Sequence, residues 1–198
     1  MREILPGIFS WGVLSERHGY DFNGTLVRDP AGNFCIDPVE PGEEILSRLA
    51  REGVSRILLT NRNHTRAARQ IHERTGAKIA IHPSDAEHAR GQGIAIDEDL
   101  KPGQRLGAFT VIGCPGKSPG EIALHDPKRR LLIVGDVLIG NPPGSLSLLP
   151  DKVIDDPERL RESVRVLLKL DFDAIVVGDG VSLTNDARGR LEALVDSF

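Results

Sequence analysis

The stretch LLTNRNHTRAAR, residues 58–69, joins a hydrophobic run to a segment with helical spacing. The apolar run at 56–59 predicts a short buried strand, and residues 65–75 predict a helix that ends at Gly76. The turn between them is rich in Asn and Arg. Because α/β proteins gather binding and catalytic groups at the ends of strands, this unit predicts a functional site as well as a local structure.

The remaining segments alternate between strand and helix patterns. Residues 8–14, 22–27 and 33–36 predict strands, and a helix with Glu43 and Glu44 in its first turn follows and stops at Gly53. Later elements are a strand at 78–81, a helix at 84–89 begun by a Ser84–Glu87 capping box, strands between 94 and 134, a helix beginning at Pro157, a strand ending at Gly178, and a helix capped by Asn185 or Asp186.

This order of elements requires sheet faces to be buried against each other and beneath helices. A four-layer αββα sandwich meets that requirement, so the sequence predicts an α/β fold of this architecture. The length of 198 residues predicts a single domain spanning residues 1–198.

Composition excludes several classes of partner. A net charge of −4 supplies no basic field, and 4% aromatic residues supply no base-stacking surface, so we expect no nucleic acid and no membrane as partners. Without a leader or a long apolar run, we predict a cytoplasmic protein. Cys35 and Cys114 have no metal or redox spacing. The expected partner is a small molecule or another protein, with a homodimer as a common arrangement.

Four loops follow predicted strands: ILLTNRNHTR, IGCPGKSPGE, IVGDVLIG and VVGDG. Their order and spacing resemble the metallo-β-lactamase superfamily, which includes glyoxalase II. The resemblance extends over nearly the whole chain. In members of that superfamily the corresponding loops carry a T-H-x-H-x-D-H motif, a T-P-G-H-T motif, a G-D pair and a final G-H. The side chains of these motifs hold two divalent metals, most often zinc.

Residue by residue, the motifs are degenerate where the metals would bind. Thr60, Pro115, Gly116, Gly135, Asp136 and Gly178 match, whereas Asn61, Asn63, Thr65, Arg66, Lys117 and Asp179 replace the implied ligands. Zinc requires three or four imidazole, thiolate or carboxylate ligands, and Arg and Lys have no free lone pair at neutral pH. Asp136 alone keeps its implied ligand type.

These substitutions predict a protein that has lost the dinuclear site, binds no metal cofactor, lacks the hydrolase activity of the family, and has a binding or scaffold role. We predict that a cluster of salt bridges between Lys117 or Arg66 and Asp136 or Asp179 takes the place of the metals. The predicted cleft is lined by Asn61, Arg62, Asn63, His64, Arg66, Lys117, Asp136 and Asp179.

An enzymatic alternative uses an altered site. His64, Asp136 and Asp179 would hold one divalent metal, or Lys117 and Asp136 would act as acid and base, with Lys117, Asp136 and Asp179 as the catalytic candidates. The resemblance would then imply a small ester, thioester or lactone as substrate.

Simpler structural roles also fit several of these residues. His64 fits a residue at the start of a helix, Asn61 and Asn63 fit organisers of the turn, and Asp37 fits a turn residue. An ordinary doubly wound α/β fold is disfavoured by the hairpin strands at the N-terminus.

Overall fold

A computed structural model describes residues 1–198 as twelve strands and five helices. The strands are β1 (Arg2–Leu5), β2 (Ile8–Ser15), β3 (Tyr20–Val27), β4 (Asn33–Ile36), β5 (Val54–Leu59), β6 (Lys78–Ile81), β7 (Glu98–Asp99), β8 (Arg105–Leu106), β9 (Phe109–Gly113), β10 (Ile122–Asp126), β11 (Leu131–Val134) and β12 (Ala174–Val177). The helices are α1 (Gly42–Glu52), α2 (Ala68–Thr75), α3 (Pro83–Gly91), α4 (Pro157–Leu167) and α5 (Ala187–Val195). None of these helices is long and apolar enough to cross a membrane.

The strands form two sheets. The first contains β1 to β7 in sequence order, antiparallel from β1 to β4 and parallel from β4 to β7. The second has the order β12-β11-β10-β9-β8, in which only β11 and β12 are parallel. Two parallel pairs, β4 with β5 and β11 with β12, therefore end in the loops that carry the polar motifs.

Three hydrophobic clusters separate four layers. One lies between the first sheet and helices α1 to α3, one lies between the two sheets, and one lies between the second sheet and helices α4 and α5. Strand β5 shows how the pattern arises: Ile57 and Leu59 face the first cluster, while Leu58 faces the cluster between the sheets. Such a strand is covered on both faces, which explains its continuous apolar sequence.

The local predictions differ from the structure in four places. Asp186 stands at the N-cap of α5, but its side chain makes no capping hydrogen bond. The helix predicted to start at 65 begins at Ala68, because residues 61–67 form turns. The Ser84–Glu87 capping box is wrong: α3 begins one residue earlier, and the Nδ1 atom of His82 accepts the hydrogen bond from the Ser84 amide. Strand β1 was not predicted from the sequence, and it pairs with β2 at the edge of the first sheet.

The two sheets are joined directly at the end that carries the motifs. The amide of Ile122, at the start of β10, donates to the carbonyl of Thr60, which follows β5, at 2.9 Å. The amide of Asn23, in β3 of the first sheet, donates to the carbonyl of Gly178, which follows β12 of the second, at 2.7 Å. The ends of the parallel strands in both sheets are therefore held beside each other.

Candidate functional site

Six charged side chains from five loops meet at these strand ends, and we refer to them as the charge cluster. Its members are Asp37, His64, Arg66, Lys117, Asp136 and Asp179. Asp37 follows β4, His64 and Arg66 follow β5, and Lys117 lies between β9 and β10. Asp136 and Asp179 follow the parallel strands β11 and β12.

His64 lies at the centre of the charge cluster and is fully buried. Its Nδ1 atom lies 2.8 Å from Asp37 Oδ2, and its Nε2 atom lies 3.1 Å from Asp136 Oδ1. Ionised carboxylates only accept hydrogen bonds, and a neutral imidazole has only one N–H. Two carboxylate partners therefore require a doubly protonated His64.

The electrostatics agree with this geometry. Burial alone lowers the pKa of His64, but the negative charges of Asp37 and Asp136 outweigh it and raise that pKa from 6.5 to about 10. The expectation that His64 starts a helix is wrong, because α2 begins at Ala68 and the His64 ring lies between two carboxylates. The expected hydrogen bond to a neighbouring loop is present, to Asp136.

Two further ion pairs complete the charge cluster. Lys117 Nζ lies 3.2 Å from Asp136 Oδ2, and an Arg66 nitrogen lies 2.9 Å from Asp179 Oδ1. Burial raises the pKa of Asp136, but His64 and Lys117 outweigh it and hold that pKa well below its ordinary range. The pKa of Asp179 is raised, chiefly by burial, with His64 and Arg66 opposing the shift. The structure thus brings together the four residues predicted to form salt bridges.

Asp37 has a larger role than the turn residue expected from the sequence. It is buried and holds a positive φ of 47°. Its Oδ1 accepts from the Thr60 amide at 2.8 Å and its Oδ2 accepts from the Thr60 hydroxyl at 2.6 Å. A usable signal was present, because Asp37 directly follows a strand that ends at the same edge as β5.

Glu121 was also missed, and it lies beneath the charge cluster. The side chain is 1% exposed, and burial followed by the negative charge of Asp136 raises the pKa of Glu121 well above its ordinary value. Neither of its carboxyl oxygens has a well-formed hydrogen bond, and the same holds for the Nδ2 atom of neighbouring Asn61.

The other predicted cleft residues organise the loops. Asn61 is buried and its Oδ1 accepts from the Asn63 amide at 2.7 Å, which matches the turn-organising role. Asn63 Oδ1 accepts from Lys117 Nζ at 3.0 Å. Arg62 donates two hydrogen bonds to Asp155, at 2.6 and 2.8 Å. Its guanidinium is therefore already paired with a carboxylate of the chain itself.

Asp85 connects the Arg62 turn to the Lys117 loop. This fully buried carboxylate accepts from the Arg62 amide at 2.9 Å, the Ser118 hydroxyl at 2.5 Å and the Gly120 amide at 2.9 Å. Three hydrogen bonds to one ionised acceptor stabilise both loops strongly. Asp85 therefore fixes the loop that presents Lys117.

The residues do not fit a dinuclear metal site. A group that could hold one ion does exist: ligand atoms of His64, Asp136 and Asp179 lie within 4.8 Å of one another. Each of the three is already paired, however, with Asp37, with Lys117 or with Arg66. A metal ligand must be a neutral imidazole or a free carboxylate, and two fixed cations beside a divalent ion are repulsive.

Comparison with known proteins identifies the family. The family model described as metallo-beta-lactamase superfamily matches residues 2–198. The chain belongs to the metallo-β-lactamase superfamily. The resemblance of its four loops to this superfamily is thereby confirmed.

Relatives of this superfamily member include hydroxyacylglutathione hydrolases. The protein of that name from Fuscovulum blasticum is 34% identical over 123 residues, which cover 58% of this chain and 47% of the relative. The one from Ectopseudomonas mendocina is 31% identical over 129 residues, covering 61% and 49%. The chain spans about half the length of these curated relatives.

Solved structures agree with the fold. TTHA1623, solved in a di-iron-bound form, is 30% identical and superimposes with a TM-score of 0.71, covering 92% of this chain and 96% of that one. The metallo-β-lactamase DIM-1 is 15% identical, with a TM-score of 0.78 over 99% and 95% of the two chains. The prediction of a four-layer αββα sandwich is confirmed.

Gly178, which follows β12, is needed for the close packing of the charge cluster. A Cβ atom on Gly178 would lie 2.7 Å from His64 Cε1, so we expect Gly178→Ala to lower the free energy of unfolding by about 1–3 kcal/mol through overpacking. Gly91→Ala is the matched control, because a Cβ there meets nothing within 4 Å. Urea denaturation measures both variants, and equal stabilities would contradict the packing argument.

Removing Lys117 should leave a buried carboxylate short of one cation. The Lys117 side chain is 8% exposed, and we expect Lys117→Ala to lower the free energy of unfolding by about 3 kcal/mol. Lys101→Ala is the control, since Lys101 is 66% exposed in its pair with Asp99, and a change within about 0.5 kcal/mol is expected there. An unchanged melting temperature for Lys117→Ala would show that the pair with Asp136 is not stabilising.

Proposed function

We propose that this chain is a metal-free member of its superfamily that binds a small molecule and lacks the hydrolase activity of its relatives. The observation that carries the proposal is the pairing of each cluster carboxylate with a cation of the chain itself. Three cations, Arg66, Lys117 and protonated His64, face three carboxylates, Asp37, Asp136 and Asp179.

Charge balance supports this proposal. A buried ion is tolerated when its charge is compensated and its hydrogen-bonding groups are satisfied. In the charge cluster the positive charge comes from side chains, so a divalent ion would have to displace Lys117 or Arg66 from its carboxylate and remove a proton from His64. Each of these changes costs free energy in a buried site.

The environment of Lys117 also argues against acid–base chemistry with Asp136. Such chemistry requires an accessible amine that exchanges its proton with a substrate. Lys117 is instead buried, hydrogen-bonded to Asn63 and paired with Asp136.

No activated nucleophile accompanies the charge cluster. Thr60, His64 and Asp37 are of the types that form a nucleophile relay, and Thr60 Oγ1 lies 3.3 Å from His64 Nδ1. All three are buried, and a doubly protonated imidazole cannot accept the hydroxyl proton. The Ser118 hydroxyl donates to Asp85 and has no histidine partner.

A second candidate function is hydrolysis of a small ester, thioester or lactone with one divalent metal. The observation in its favour is the grouping of His64, Asp136 and Asp179, together with relatives named hydroxyacylglutathione hydrolase. In that case these three side chains would hold the ion, which would supply a metal-activated water as nucleophile.

The metal content of untagged protein distinguishes the two functions. After growth with added zinc, iron and manganese, we expect less than about a tenth of an equivalent of any of them by mass spectrometry, since true sites bind far more completely. Near one equivalent, lost in Asp136→Asn but retained in the exposed control Asp99→Asn, would overturn the metal-free proposal and support the hydrolase.

A reversion tests the cause of metal exclusion. Replacing both cations by imidazole, in the double variant Arg66→His and Lys117→His, removes the repulsion and adds ligands. We expect this variant to take up more zinc than the wild type under the same growth conditions. If neither protein binds zinc, charge is not what excludes the metal.

A further inference from the structure

A cavity of about 500 Å³ opens beside the charge cluster. One wall is the tip of the β2–β3 hairpin, with Arg17, His18 and Tyr20, and the other is the proline-rich segment that follows β11. The size is within the range of pockets that hold small molecules.

The polar part of this cavity carries one sign of charge. Its charged lining residues are Arg17 and Lys152, and none of its lining residues is Asp or Glu. This differs from the chain as a whole, which has 29 acidic and 25 basic residues. Arg17 and Lys152 form no salt bridge, whereas the Arg66 and Lys117 cations nearby are both paired. The two cations are therefore free to meet an anion from outside the chain.

The rest of the wall is apolar. Ile139, Leu148, Leu149, Pro150 and Val153 line the cavity, and Val153 is 46% exposed. Exposed apolar surface beside free cations matches a molecule that combines an apolar body with an anionic head.

The cavity is connected to the charge cluster through the hairpin. Tyr20 lies in its wall, and the charges of Asp179, Asp136 and Arg66 all act on the Tyr20 hydroxyl. Phe22 pairs with Asp179 in a β-bridge, and the Arg66 guanidinium lies over the Phe22 ring at 4.3 Å. The charge cluster thus supports the wall of the cavity without contributing a free charge to it.

We infer that this cavity binds an amphipathic anion, with a carboxylate or phosphate head at Arg17 and Lys152 and an apolar body along Leu148, Leu149 and Val153. The inference rests on the proposed binding function, because it treats the cleft as a binding site. The guanidinium of Arg17 suits a planar or tetrahedral oxyanion, and Lys152 adds a second charge.

Another cavity, of about 550 Å³, does not have these properties. It lies between α4 and α5, and its Arg161 is paired with Asp151 and Glu158. Its wall therefore contains two acids, whereas the wall of the first cavity contains none. Arg165 lines this second cavity and not the first, although the two share Leu148, so it provides a control position that bears an exposed cation.

Calorimetry with octanoate tests the inference directly, using the full chain in the presence of EDTA. We expect saturable binding of one octanoate per chain, with octanol and acetate each at least tenfold weaker, because one lacks the charge and the other the apolar body. Octyl phosphate separates the two possible heads: tighter binding than octanoate assigns a phosphate, and weaker binding a carboxylate.

Variants locate the site. The double variant Arg17→Ala and Lys152→Ala should weaken octanoate binding at least tenfold, and Val153→Asp should do the same by placing a carboxylate at the apolar wall. All three positions are exposed, so folding should be retained, which circular dichroism checks. Arg165→Ala should bind octanoate as the wild type does.

Three results would overturn the inference: no binding of octanoate or octyl phosphate by the wild type, binding of octanol as tight as that of the anions, or unchanged anion binding by the double variant. Failure of the proposed function is recognised separately. A wild type that contains a full equivalent of metal, yet still binds octanoate in EDTA, would retain the anion site and refute the metal-free role.

Discussion

The two-sided contact of His64 is the interaction on which the charge cluster depends. One imidazole nitrogen faces Asp37 at the end of β4, in the first sheet, and the other faces Asp136 at the end of β11, in the second. Because both partners are carboxylates, the ring acts as a fully buried cation that joins the two halves of the sandwich. The position of the His64 ring also requires glycine at position 178, since a Cβ atom there would collide with the ring. Without this cation, Asp37 and Asp136 would be buried without sufficient compensating charge.

The fold brings several loops together at one edge, and in this chain the side chains that meet there form ion pairs. Parallel strands bring their carboxyl ends to one edge, so four loops converge whatever residues they carry. In this member of the metallo-β-lactamase superfamily the converging residues include carboxylates and cations in equal number. Mutual neutralisation by side chains satisfies the same electrostatic requirement that a bound metal would satisfy. The likeness to a di-iron protein is one of architecture, and the metal-free interior that we propose for this chain rests on the pairing of its charges.

The anion site that we propose in the cavity beside the charge cluster would give the fold a different use for its cleft. Its unpaired cations and apolar wall lie on the β2–β3 hairpin and on the proline-rich segment after β11, outside the packed core of the sandwich. The buried ion pairs hold the strand ends, and Asp85 holds the loop of Lys117, so neither has to change when the walls of the cavity vary. Recognition at the surface is thus separated from stability in the interior.

The sequence by itself determined the layers, nearly all of the elements, and the loops that converge. These features depend on the period of hydrophobic residues and on turn residues, and both can be read from neighbouring positions in the sequence. It also identified the cations Arg66 and Lys117 and their partners Asp136 and Asp179, because each of these residues lies in a loop that resembles a motif of the superfamily. The roles of Asp37, His64 and Glu121 were decided only by the tertiary structure. His64 and Asp136 are 72 positions apart, and nothing in the neighbourhood of either residue records their contact. Burial, shared partners and compensation of charge are properties of the assembled site, and they turned a residue expected to start a helix into its central cation.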